Sequence, residues 1–210
     1  MSAASEFARS ELDARVRRAV RTLQDPPSAP GWNHAEIADL LGPGSRRAAA
    51  VLVATIARAD GPSILFTRRT EHLAQHAGQV SFPGGGIESA DADSVAAALR
   101  ETREEVGIDA ALVQPFGYLD CFETISGYCV TPVVAQIDSA YRAIPDPHEV
   151  ADVFEAPLAF FLDPANLRQR RFDWRGKTRE VWEFAYNDHI IWGATAAMLL
   201  SLVRRIEATP

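Results

Sequence analysis

Glu101, Glu104 and Glu105 are the residues best suited to chemistry, because three carboxylates crowd together just downstream of the glycine run Gly84-Gly85-Gly86. At about 100° per residue in an α-helix, with Glu101 at zero, Glu104 falls at about −60° and Glu105 at about +40°. Three like charges on one patch repel, at about a few tenths of a kcal/mol per pair. A helix selected for stability alone would not carry them. A divalent cation reverses the sign: carboxylate oxygens suit hard ions such as Mg2+ or Mn2+, and Mg2+ often bridges a few carboxylates to substrate phosphates. The glycine run adds a backbone that phosphate or metal can approach closely, because it lacks Cβ atoms. Arg100, at about −100°, flanks Glu104 and could orient the acids. The plainer account is a solvated helix end in which Arg100 and Arg103 balance the glutamates; the glycine turn upstream weighs against it.

The element that must position these acids is a helix over roughly residues 93–107. Asp93 is a suitable N-cap and Gly107 a suitable C′ residue. Val95, Leu99, Thr102 and Val106 fall between about 100° and 160° and predict a packing stripe separate from the acidic patch. Ala96, Ala97 and Ala98 add helix propensity with little bulk.

The string Gly86…Arg100-Glu101-Thr102-Arg103-Glu104-Glu105-Val106-Gly107-Ile108 resembles the signature box of the Nudix hydrolases, which cleave a nucleoside diphosphate linked to another group with Mg2+ or Mn2+. Two positions depart from the family pattern: Ala92 stands where a lone glutamate is expected, and Thr102 where an aliphatic residue is expected. Asp91, Asp93 and Glu88 are nearby acids at other spacings. Upstream, the stretch from Leu65 to Gly85 is similar to the coenzyme A pyrophosphatase subgroup, matching at Thr67, Arg69, Gly78, Phe82, Pro83, Gly84 and Gly85. That subgroup commonly carries an aspartate where this chain has Asp91. One further arginine of its pattern is replaced by Ala74.

The resemblance implies hydrolysis of coenzyme A, or of an acylated or oxidised form, to 3′,5′-ADP and 4′-phosphopantetheine or its derivative. Diphosphate hydrolysis needs neutralised phosphate oxygens, an aimed water and a base. Glu101, Glu104 and Glu105 are the implied metal ligands. Glu101, Glu149 and Arg100 are the catalytic candidates, with Glu101 or Glu149 taking the proton. Arg69, Phe82, Gly84 and Gly85 are the substrate-binding candidates. Two rival readings stand: a Nudix hydrolase of another diphosphate (ADP-ribose, NADH, a dinucleoside), or a non-catalytic nucleotide-binding module. Retention of the whole acidic set opposes the module; Ala74 favours it.

Composition narrows the partners. The chain has 210 residues, 47% of them hydrophobic, and a net charge of −7. An acidic balance argues against a general nucleic-acid binder, since phosphate backbones are held by Lys and Arg. It fits a small-molecule nucleotide substrate held through metal, and a homodimer is compatible with it. Cys121 and Cys129 match no zinc spacing and read as reduced thiols of a cytoplasmic protein. No signal peptide or peroxisomal tag is evident. The apolar run from Ile190 to Val203 is too short to span a membrane. His72 and His76, four apart, lack a third metal ligand and read as packing or substrate contacts. The basic run Arg168, Arg170, Arg171, Arg175, Lys177 and Arg179, beside Phe172, Trp174 and Trp182, could meet an adenine and a 3′-phosphate, resembles a single-strand nucleic-acid surface, or is simply an exposed hairpin with one aromatic face packed.

Along the chain, a helix is expected over 6–23, a Pro-rich linker over 25–32, and a short helix from Asn33 to Leu41. Strands are expected over 47–58 and 63–69, joined at Asp60-Gly61. Further strands follow at 112–121 and 128–137, a short helix from Pro157 to Leu162, a hairpin of 169–174 with 179–186, and a last helix from Ile191 to Ile206. These elements imply a layered α/β domain. The resemblance sharpens this to a Nudix-like α/β/α sandwich with a mixed central sheet, residues 46–210, preceded by a helical arm and linker, residues 1–45.

Overall fold

A computed structural model describes residues 3–42, 44–72, 76–174 and 176–209, without the side chains of 3–10, Phe172, Trp174 and Lys177. Its centre is a mixed sheet of eight strands. The strands are β1 (Arg47–Arg58), β2 (Gly61–Arg69), β3 (Val80–Ser81), β4 (Gly84–Gly86), β5 (Val113–Tyr118), β6 (Phe122–Glu123), β7 (Tyr128–Ile137) and β8 (Val150–Pro157). The main path runs β3-β2-β1-β7-β5, with β4 on β1, β6 on β7 and β8 on β2. β1 and β7 are parallel; the remaining pairs are antiparallel. β1 is central and covered on both faces, which is why it reads as a continuous apolar run.

Side-chain alternation along these strands sorts the core into two halves. Ala50, Leu52, Ala54 and Ile56 face α3 (Ser94–Val106) together with Leu65, Val133 and Ala135. Ala49, Val53, Ile64, Phe66 and Val134 face the other way, onto α5 (Gly193–Ala208), whose Leu199, Leu202 and Ile206 are fully buried. The molecule is thus the expected α/β/α sandwich. Val16 and Ala19, at the end of α1 (Ala3–Arg18), join the α5 half of the core.

The two central strands lie where the apolar pattern puts them, and the differences elsewhere have physical causes. α1 ends at Arg18 rather than near residue 23, because Arg21 is drawn into a two-way backbone bridge with Tyr118 (2.9 Å each way). The short helix expected from Asn33 is the single turn α2 (His34–Ile37), and the Asn33 side chain does not cap it. Its amide instead brackets Glu123, donating to the Glu123 carbonyl and accepting from the Glu123 N–H, 2.8 Å each. The glycine run is a strand, β4, rather than a free turn. A Cβ at Gly84 would lie 2.3 Å from the Ala50 carbonyl oxygen, so only glycine lets the two backbones pair here.

β8 is a strand beyond those expected, and its run VADVFEAP carries no clean alternation to mark it. Ile191 lies in β11 (His189–Trp192), so the last helix starts two residues later, at Gly193. α4 (Leu158–Leu162) begins after Pro157 as expected. β9 (Leu167–Trp174), β10 (Lys177–Tyr186) and β11 form a second sheet, ordered β11-β10-β9. Arg175 lies outside the described residues, as does Ala74. Among the described residues, no helix is long and apolar enough to cross a membrane.

Candidate active site

α3 carries the acids, and its ends are built as its sequence dictates. Asp93 Oδ1 accepts the Ala96 N–H at 2.8 Å, and Gly107 takes φ +67 with its N–H on the Arg103 carbonyl. The buried face, however, is rotated from the expected stripe. It consists of Ala97, Ala98, Thr102, Glu105 and Val106, while Val95 and Leu99 are only half-buried. Glu105 therefore lies inside the packing face rather than on a separate acidic patch. The small Ala97 and Ala98 let the helix sit close to β1, and that approach pulls the adjoining glutamate under cover. Thr102 leaves no orphaned hydroxyl at its aliphatic position, because that hydroxyl donates to the Ala98 carbonyl at 2.7 Å.

The three glutamates are consequently unlike one another. Glu105 is 4% exposed; its Oε2 accepts the Gly84 N–H at 3.2 Å, and its Oε1 lies 3.6 Å from Arg69 Nη1. Burial pushes its carboxyl up to about 8; the Gly84 N–H and Arg69 pull it down, while Glu101 and Glu149 raise it further. Glu101 is half-buried, and burial is also the main cause of its raised pKa, opposed by Arg100 and reinforced by Glu104 and Glu149. Glu104 is exposed. A Cβ on Gly85 would stand 2.5 Å from Glu101 Oε1, so the bare glycine leaves the space that this carboxylate occupies.

Arg100 ties the acids together. Its Nη1 donates to Glu101 Oε1 and Glu104 Oε2, both at 2.9 Å. Its Nε and Nη2 hold Asp91 at 3.0 Å each, and Nη2 also reaches the Gly86 carbonyl at 3.0 Å. All five guanidinium N–H groups are thereby engaged with Asp91, Glu101, Glu104 and the Gly86 carbonyl. Asp91, one residue before the position where the family pattern expects a glutamate, lies against this guanidinium. Its side chain is 5% exposed, it also accepts the Glu88 N–H at 2.8 Å, and Arg100 holds its carboxyl below the usual range. One residue of displacement is absorbed because Asp91 sits in the loop before the helix, where no helical period fixes its direction.

The remaining candidates separate. Arg69 ends β2 beside Glu105, and its Nε is buried with no hydrogen-bond partner. Glu149 is exposed, yet close enough to Glu101 and Glu105 for its charge to raise both. Phe82 does not line a binding surface: it is 1% exposed and stacks on Phe66 at 5.2 Å, so it anchors the glycine run from the core side. His72 and His76 share no helix face; His76 takes φ +58 and bonds Gln79, while His72 lies near Thr70. The basic hairpin spends cations internally: Arg170 lies on Trp192 and Glu183, and Arg179 reaches Asp39 at 2.5 Å. Cys121 and Cys129 are free thiols; burial, with the neighbouring Cys121 thiol, pushes Cys129 up to about 12.

A divalent metal fits this donor set. Glu105 is a buried carboxylate short of positive partners, with the carboxylates of Glu101 and Glu149 adding to its charge burden. Among the described residues, no three His, Cys, Asp or Glu side chains cage an ion unaided. Mg2+ does not need such a cage, since one or two carboxylates with waters and substrate phosphates suffice.

Residues 46–183 match the NUDIX domain. An uncharacterized Nudix hydrolase, NudL, of Shigella flexneri is 43% identical over 170 residues, covering 80% of this chain and 87% of its own length. The NudL of Escherichia coli (strain K12 / DH10B) is 42% identical over 168 residues, covering 79% and 86%. Among solved structures, the MutT protein of Methanosarcina mazei Go1 aligns at 16% identity and TM-score 0.47, over 80% of this chain and 97% of that one.

Proposed function

Since this chain belongs to the Nudix family and is a Nudix pyrophosphohydrolase, we propose that its substrate is coenzyme A or an acylated or oxidised derivative. The products would be 3′,5′-ADP and 4′-phosphopantetheine or its derivative. The observation that carries the chemistry is the Glu105 carboxylate, buried between the Gly84 N–H and Arg69 with Glu101 and Glu149 beside it. What supports coenzyme A is the run from Thr67 through Arg69 and Gly78 to Phe82-Pro83-Gly84-Gly85, which resembles the subgroup that cleaves it.

The chain's residues divide the work. Glu101, Glu104 and Glu105 would hold Mg2+ or Mn2+, which when bound would neutralise phosphate oxygens and acidify water. Arg69, part of whose side chain is exposed beside Glu105, binds a non-bridging phosphate oxygen. Gly84 and Gly85 let the diphosphate approach the backbone. Glu149 takes the proton of the attacking water as the new P–O bond forms, and the P–O bond of the anhydride bridge breaks to release the second phosphate. Arg100 and Asp91 keep Glu101 and Glu104 aimed. The free thiols Cys121 and Cys129 support a cytoplasmic setting for the reaction.

The test is to incubate the purified protein and Mg2+ separately with coenzyme A, an acyl-coenzyme A and ADP-ribose, and to resolve the products by mass. Appearance of 3′,5′-ADP with phosphopantetheine is expected. Cleavage of ADP-ribose alone would reject coenzyme A as substrate and leave the family assignment intact.

A further inference from the structure

We propose that Thr70 is a positioning residue for Glu149: its buried hydroxyl and its backbone N–H together fix the segment that presents this carboxylate to the acidic helix. The inference rests on the reading of Glu149 given above.

Thr70 follows Arg69 at the end of β2 and is 6% exposed. Its N–H donates to the Glu149 carbonyl at 3.0 Å. Its Oγ1 donates to the carbonyl of His148, the preceding residue, at 3.3 Å, and lies 3.4 Å from His72 Nε2. A hydroxyl has one proton, so donation to His148 leaves lone pairs for an N–H of His72. One side chain and one amide thus hold two consecutive carbonyls of the segment.

The other end of that segment is fastened to α3. The Ile144 N–H donates to the Val106 carbonyl at 2.8 Å, and the Asp146 N–H to the Glu105 carbonyl at 2.9 Å. Asp146 then closes the turn: its Oδ1 accepts the His148 N–H at 2.9 Å, and its carbonyl accepts the N–H groups of Glu149 and Val150 at 3.1 and 2.8 Å. Residues 144–150 therefore bridge the end of the acidic helix and the end of β2, with Glu149 beside the β2 anchor. The Glu149 side chain is exposed, and this backbone frame sets where it leaves the chain relative to Glu101 and Glu105. Both long hydroxyl contacts can be lost without opening the sheet, because the Thr70 N–H bond survives a change of side chain.

Thr70→Val removes the hydroxyl at nearly constant shape. With coenzyme A and Mg2+, or with ADP-ribose if coenzyme A is not cleaved, it should lower kcat about 10-fold and leave KM within about twofold, the scale of a small misplacement of a reacting group. Thr70→Ser should restore the rate. Amide hydrogen exchange needs no substrate. It should quicken at Glu149 and Val150 in Thr70→Val and stay unchanged along α3. In a Glu149→Gln background, Thr70→Val should cause no further loss. An unchanged kcat, an unchanged exchange pattern, or an equal loss in both backgrounds overturns the role of Thr70 and leaves Glu149 standing. Full activity of Glu149→Gln alone overturns the reading of Glu149, and Thr70 with it.

Discussion

Glu105 keeps its proton to about pH 8 because it is buried beside two other acids, and the helix that delivers it has no room to turn it outward. This has a signed consequence. A carboxyl whose folded pKa lies above its unfolded value stabilises fully below the unfolded value, and loses that contribution as pH rises through the folded one. Metal-free protein should therefore lose on the order of a few kcal/mol between pH 4.5 and about 8. Glu105→Gln should flatten this decline and raise the melting temperature in chelator at pH 8, while abolishing the gain that Mn2+ gives the wild type. Thermal unfolding across pH, with and without Mn2+, checks both. A wild-type curve that stays flat over that window would remove the account of Glu105. Asp91→Asn tests the other half of the network. It takes away the charge partner that uses Nε and Nη2 of Arg100, and should lower kcat about 10-fold with the far-ultraviolet spectrum unchanged.

The glycine run does two jobs, and substitution should separate them. At Gly84, φ is +154, and a Cβ would strike the Ala50 carbonyl at 2.3 Å and Val51 Cα at 2.6 Å. That is backbone against backbone in the middle of the sheet, so Gly84→Ala should cost about 3 kcal/mol or more and be visible as a large fall in melting temperature. At Gly85 the nearest atoms a Cβ would meet are those at the far end of the Glu101 side chain. Gly85→Ala should keep the fold, with melting within about 4 °C of wild type, and lower kcat about 100-fold by displacing that carboxylate. Equal behaviour of the two variants in melting and turnover would refute the division.

The molecule as a whole is held from its N-terminal side. Val16 is 2% exposed in the α5 half of the core; Arg15 donates to the Ile206 carbonyl at 2.8 Å, and Arg205 to that of Ala19 at 3.3 Å. Beyond α1, the Pro-rich segment is latched by Glu123, whose Oε1 accepts the Gly31 N–H at 3.0 Å and whose Oε2 meets His34 Nδ1 at 2.8 Å. Asn33→Ala leaves the backbone groups of Glu123 without their partner and should cost about 1–3 kcal/mol. Limited proteolysis should then cut the 25–34 segment first; resistance equal to wild type would show that the latch carries no such weight. We propose that residues 1–45 act as a strap on the Nudix domain of residues 46–210.

Much of this was legible in the residues alone. Continuous apolar runs bounded by a turn defined β1, β2 and β7, because burial on both faces leaves a mark on every residue. Asp93 and Gly107 marked both ends of α3, since helix termini need side chains and φ values of particular kinds. What the order of residues could not carry was depth. A wheel of angles puts Glu104 and Glu105 on similar terms, yet one is exposed and the other buried, and that difference comes from how closely Ala97 and Ala98 let the helix approach β1. Arg69 facing Glu105, and the loop bearing Glu149 beside the end of β2, are likewise contacts between segments far apart in the chain. Local preferences act within a few residues, whereas the direction of a carboxylate is settled by whatever the folded sheet brings against it.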